Sequence, residues 1–156
     1  EQSANGLFLI YFSLLISFLS WGYLVPKISK NVSDAIRLLK FGAPLNLIVL
    51  AFIIYLGPKA GAYHWAFFAV SSVFLSLTQP AVGMAFSLSN AGKALTSFNL
   101  LLFIGAFALQ WIIGVIIDLT MNLGYSEISG FRFAMIFFLL TSFFSYLFFL
   151  IRNYKN

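Results

Sequence analysis

Five stretches of this chain are each about as long as a bilayer's hydrocarbon is thick and almost free of charge. That feature constrains the fold more than any other. The stretches are 7–25, 41–57, 63–87, 97–118 and 131–151. A helix crosses the hydrocarbon with about 20 apolar residues, in a range of roughly 17–25. The runs are too long, and too poor in polar alternation, for barrel strands. Backbone facing lipid must satisfy its own hydrogen bonds, which leaves the helix. The expected fold class is therefore all-α, a polytopic membrane bundle of five transmembrane helices forming one transmembrane domain over residues 1–156. Composition agrees: 8% of residues are charged, against roughly 25% in soluble domains, too few to clothe a surface in water.

The same scarcity excludes several functions. There is no Cys, and the single His64 and the acids Glu1, Asp34, Asp118 and Glu127 are scattered. No metal site, and no cofactor, is expected from such a set. No nucleophile with a positioned base stands out, so enzymatic chemistry is not expected. The net charge of +5 reads as basic residues retained in cytoplasmic loops, with no nucleic-acid partner. The first run has no basic segment before it and no small-residue cleavage pattern, so it is not a signal peptide. Beginning at Glu1, the chain reads as the downstream piece of something longer.

Charge sets the expected orientation. Five spans place Lys27, Lys30, Arg37, Lys40, Lys93, Arg152 and Lys155 on one side, and only Lys59 and Arg132, with Glu1, Asp118 and Glu127, on the other. The basic side is expected in the cytoplasm, with the N-terminus outside and the C-terminus inside. In the loop 26–40, Ser33 to Lys40 reads as a helix capped by Ser33. It either lies at the surface or extends the second span, and Pro44 marks a bend or a fresh start. His64 and Trp65 read as residues of the membrane interface. Asp118 closes the fourth span at a helix C-terminus whose dipole disfavours an anion, and pairing with Arg132 across the outer loop is expected.

Polar residues within spans turn toward protein or water. In the first span Ser13, Ser17 and Ser20 share a face, which suits helix packing as well as substrate contact. The third span is irregular, with Ser71, Ser72, Ser76, Thr78, Gln79, Pro80 and Gly83; Pro80 removes a donor and frees the carbonyl of Ser76. In the fourth span Asn99 and Gln110 lie eleven residues apart, about 20° in azimuth, beside Trp111. The second and fifth spans read as lipid-facing scaffold. The spans thus run polar, apolar, polar, polar, apolar.

The interval Asn90-Ala91-Gly92-Lys93-Ala94-Leu95-Thr96-Ser97-Phe98-Asn99 invites a nucleotide reading through its Gly92-Lys93 pair. A phosphate loop needs G-x-x-x-x-G-K-[ST] after a strand. Ser87 occupies the first glycine position, Ala94 the hydroxyl position, and a membrane helix precedes it. The nucleotide reading fails. The interval is expected to be a cytoplasmic turn, with Lys93 inside and Thr96 or Ser97 capping the next helix.

Taken whole, GKALTSFNLLLFIGAFALQWIIGVIID, Gly92 to Asp118, resembles the penultimate helix of bacterial major facilitator superfamily transporters with its preceding loop. The matching positions are Gly92, Ala94, Thr96, Asn99, Gly105, Ala106, Phe107, Gln110, Trp111, Gly114 and Asp118, with Lys93 where Arg is more usual. GYLVPKISK, Gly22 to Lys30, sits where that superfamily's G-x-x-x-D-R-x-G-R loop recurs. Here Pro26 replaces the acid and Ser29 the glycine, so no gating role is assigned to it. The resemblance implies a partial major facilitator fold, helices eight to twelve, in a bacterial cytoplasmic membrane. It also implies a function: transport of an unidentified small polar molecule by alternating access, jointly with missing N-terminal helices of the same carrier. The substrate-path candidates are then Gln79, Asn99, Gln110 and Trp111. The structural or gating candidates are Pro80, Gly92, Lys93, Gly105, Gly114, Asp118 and Arg132. The other reading is a truncated, non-transporting remnant or scaffold.

Overall fold

A computed structural model describes residues 2–154. Glu1 and Lys155, both used in the orientation argument, lie outside them. The described chain is all α-helical, with short 3₁₀ pieces and, among the described residues, no strand. The helices are α1 (Gln2–Ile28), α2 (Val32–Leu56), α3 (Ala62–Ser71), α4 (Thr78–Met84), α5 (Leu88–Asn122) and α6 (Glu127–Tyr154). A 3₁₀ segment, Val73–Leu77, joins α3 to α4, so that α3 through α4 make one interrupted span. Five spans long and apolar enough to cross a membrane result. Their outward faces carry large apolar side chains such as Phe8, Leu19, Phe103 and Phe148. This is an integral membrane protein whose helices meet the lipid bilayer.

The helices outrun the apolar stretches at nearly every end. α1 continues through Pro26 to Ile28, and the expected long loop 26–40 shrinks to residues 29–31. Ser33 to Lys40 is helical, as an N-terminal extension of the second span. Its cap is Asn31 rather than Ser33: the Asn31 side-chain oxygen accepts the Asp34 N–H at 2.9 Å. The Asp34 carboxylate in turn accepts the Lys30 N–H at 3.0 Å, an anion placed where the helix dipole favours it. Pro44 lies in the interior of α2 and starts no new helix.

The polar interval Asn90 to Asn99 is not a turn. The turn is residues 85–87, and α5 begins at Leu88 with Ser87 as its N-cap. Gly92 and Lys93 are therefore helix-interior residues. Thr96 does not cap; its hydroxyl donates back to the Gly92 carbonyl at 2.9 Å, the usual resort of a hydroxyl inside a helix. α5 has 35 residues, about 52 Å of helix, well beyond the ~30 Å hydrocarbon. At its far end it passes Asp118 and stops at Asn122, where Gly124 adopts a left-handed φ of 87° that only glycine accepts without strain. Gly57, at φ 55°, ends α2 in the same way.

α2 is the hub. It packs against α3, the Val73–Leu77 segment, α4 and α6, while α1 lies against α3 and α5 against α4 and α6. The buried side chains follow this: Ala35, Leu39, Val49, Leu50 and Ile53 all belong to α2. Around Leu39, Phe74 and Leu77 gather Trp21, Val25, Leu38, Ala43 and Phe149. The second span is therefore not pure lipid-facing scaffold, because one side of it holds the bundle together. Its low polarity reflects a core face rather than a lipid face, two environments that hydropathy alone does not separate.

Candidate functional site

The interrupted third span is where polar chemistry concentrates. After Ser71 the helix tightens, and its hydroxyls turn inward: Ser71 and Ser72 donate to the carbonyls of Phe68 and Ala69 at 2.8 and 2.7 Å, and Thr78 to that of Leu75 at 2.7 Å. Such back-bonds compete with the helix ladder and bend it. Asn46 of α2 reaches across to the break. Its side-chain amide donates to the Ser71 hydroxyl at 3.0 Å and to the Phe68 carbonyl at 3.3 Å. The break thus begins one and a half helical turns or more before Pro80, and a neighbouring helix holds it open. Pro80 sits in the first turn of α4, a position that tolerates its missing N–H.

Beyond the break, α4 and α5 face each other across the short turn at 85–87. There the Gln79 side-chain amide donates to the Asn99 side-chain oxygen at 3.2 Å. Two of the four substrate-path candidates are thus joined across helices, and both remain exposed. Gln110, about three turns further along α5, is also exposed and has no hydrogen-bond partner among the described residues. Trp111 is 65% exposed. The stripe from Asn99 to Gln110 therefore lies open on a helix without a single buried side chain.

The remaining candidates are less connected. No ion pair joins Asp118 to Arg132: among the described residues no Lys or Arg nitrogen comes within 4.0 Å of a carboxylate oxygen. Both residues are exposed, and α5 continues a full turn past Asp118, which moves the carboxylate away from the helix terminus. Gly92, Gly105 and Gly114 approach nothing, for a Cβ built on any of them meets no atom within 4 Å. The close helix contacts use other glycines. A Cβ on Gly130 would lie 2.7 Å from the Thr120 hydroxyl, and one on Gly42 would fall into the Phe74 ring.

A second feature was missed in the sequence. α2, the interrupted span, α5 and α6 contact one another in a ring, and between them lies an open-sided cavity of about 430 Å³ to which α5 contributes only Leu109. Its walls are largely apolar, with Asn46, Thr78, Thr141, Ser142, Ser145 and Tyr146 as polar points. Most of these come from the two spans whose composition suggested scaffold. A usable signal existed: Thr141, Ser142, Ser145 and Tyr146 share neighbouring positions at helical spacing, on one face of an otherwise aliphatic and aromatic span.

His64, at the start of α3, has a local role. Its Nδ1 accepts the Gly61 N–H at 3.1 Å, satisfying a donor ahead of the helix, and its ring lies 6.2 Å from that of Phe52. Set beside protein-family models, curated proteins and solved structures, the chain has no match.

Proposed function

We propose that this chain is part of a membrane carrier that moves a small polar molecule by alternating access, as helices eight to twelve of a major facilitator-type transporter. The observation that carries the reading is the Gln79–Asn99 hydrogen bond between α4 and α5, continued along α5 by the exposed Gln110, which has no partner among the described residues. Amides at membrane depth require protein or water. An exposed amide stripe therefore fits a surface turned toward a water-filled path, with further helices of the same carrier closing its other side. The broken third span beside that stripe adds support, since transport sites are often built where membrane helices are interrupted. In this reading the protein is a carrier rather than an enzyme, and the side bearing Lys27, Arg37, Lys40, Lys93 and Arg152 faces the bacterial cytoplasm.

Cysteine accessibility in the membrane tests it. The chain has no Cys, so single substitutions report cleanly. Asn99→Cys and Gln110→Cys are expected to react with a membrane-impermeant thiol reagent. Leu101→Cys, about 200° around the helix from Asn99, is expected to stay unreactive. Equal protection of all three positions defeats the aqueous path and leaves a non-transporting scaffold. In the full-length parent, Asn99→Leu with Gln110→Leu is expected to abolish uptake at unchanged expression. A reporter fused after Asn156 and active only outside the cytoplasm is expected to be silent.

A further inference from the structure

The open-sided cavity between α2, the Val73–Leu77 segment with the start of α4, and α6 is elongated along the helices. Its lining runs from Leu39 to Leu47 on α2 and from Phe149 to Phe138 on α6, about 12 Å and about 16 Å of helix respectively. Its walls are apolar along most of this length. Ser142 and Ser145 line it without a hydrogen-bond partner among the described residues, although the adjacent Thr141 donates to the carbonyls of Phe137 and Phe138 at 3.0 Å.

Basic residues lie beside one end of this slot, although none of them lines it. Lys40 follows the lining residue Leu39, and its ammonium donates to the Asn153 carbonyl at 3.1 Å, which places the start of α2 against the end of α6. An ammonium has three donors, so two remain. Arg37 lies one turn away on α2 and Arg152 precedes Asn153; both are exposed. The acid on this part of α2 is Asp34, whose carboxylate takes the Lys30 N–H. Among the described residues no carboxylate oxygen lies within 4.0 Å of any of the three basic side chains.

We propose that this slot is a binding site for one anionic phospholipid, with an acyl chain between α2 and α6 and the phosphate held by Arg37, Lys40 and Arg152. Charge complementarity selects the headgroup and the apolar walls take the chain. Basic pockets between membrane helices hold anionic headgroups for this reason. Lys40 ties the two helices together through Asn153, so a phosphate beside it would clamp the α2–α6 contact. The site is separate from the Gln79–Asn99 stripe and does not depend on a transport function.

The test uses the solubilised full chain with two probes, phosphatidylglycerol and phosphatidylcholine, and native mass spectrometry to count retained lipid. Phosphatidylglycerol is expected to be retained in preference, and Arg37→Gln or Arg152→Gln each to lower that preference about fivefold. Equal retention of the two lipids, or a preference untouched by both substitutions, overturns the proposal. A phosphatidylglycerol with a nitroxide on its acyl chain locates the chain. An immobilised spectrum in the wild type that becomes mobile in Ser142→Phe, with helical circular dichroism retained, is the expected result. A mobile wild-type spectrum means the headgroup rests on the surface and the slot is not the site; that reading stands alone if Ser142→Phe fails to fold. An immobilised signal that Ser142→Phe leaves unchanged in a folded protein also overturns the assignment.

Discussion

The hydroxyl of Tyr146 donates to the carbonyl of Lys40 at 2.8 Å, and the cause lies four residues along α2. Pro44 has no N–H, so the carbonyl that it would have bonded is left without its helical partner. In apolar surroundings such an orphan costs roughly 1–3 kcal/mol, and Tyr146, from the fifth span, removes that cost. Tyr146→Phe is therefore expected to destabilise the protein by an amount in that range. Pro44→Ala restores the missing donor, so Tyr146→Phe in that background is expected to cost much less. Unfolding in mixed detergent, followed by circular dichroism, gives the double-mutant cycle. Equal costs of Tyr146→Phe in both backgrounds would show that the carbonyl was never orphaned.

The same bond explains what could be read from the sequence and what could not. The number and approximate placement of the spans were legible, because about 20 apolar residues in a row have few other uses. The behaviour of Pro44 was not, because the group that lets the helix continue lies 106 residues away. Asn46 holds the break in the third span in the same long-range manner. For the candidate site, Gln79 and Asn99 were each visible as isolated amides, but their pairing depends on how the turn at 85–87 aligns α4 with α5. The interval around Gly92 misled because its polarity sits in the first turns of α5, and polarity there does not imply a turn.

Gln79 and Asn99 are expected to be energetically coupled. Interhelical amide bonds in membranes contribute about 0.6 kcal/mol on average and up to about 1.7. Gln79→Leu and Asn99→Leu singly each strand a partner, whereas the double substitution removes both halves at once. The double variant is thus expected to be more stable than the sum of the single losses implies, measured by the same unfolding assay. Strict additivity would mean that water already serves both side chains.

Trp21 packs against the Leu39, Phe74 and Leu77 cluster, and its indole N–H is buried without a partner among the described residues. An unmade hydrogen bond of this kind offsets much of what the ring gains by burial. Trp21→Phe keeps an aromatic ring and deletes the donor. It is expected to change thermal stability by less than about 1.5 kcal/mol, as conservative core exchanges do, whereas Trp21→Ala is expected to cost roughly 3–5 kcal/mol. A loss on Trp21→Phe as large as on Trp21→Ala would show that the N–H has a partner after all.

Gly42 provides the sharpest steric test. A methyl group there would occupy the space of the Phe74 ring, and both positions border the core shared by α2 and the Val73–Leu77 segment. Gly42→Ala is expected to cost roughly 1–3 kcal/mol through overpacking, even though alanine is the better helix former. Phe74→Leu alone leaves a gap and is also expected to destabilise. Combined, the smaller side chain vacates the space that the new methyl needs, so the double variant is expected to recover part of the Gly42→Ala loss. Gly105→Ala is the control, because a Cβ at that position meets no atom within 4 Å. There the substitution is expected to raise helix stability by up to about 1 kcal/mol. If Gly42→Ala proves as harmless as Gly105→Ala, the Phe74 ring does not sit over α2 as described.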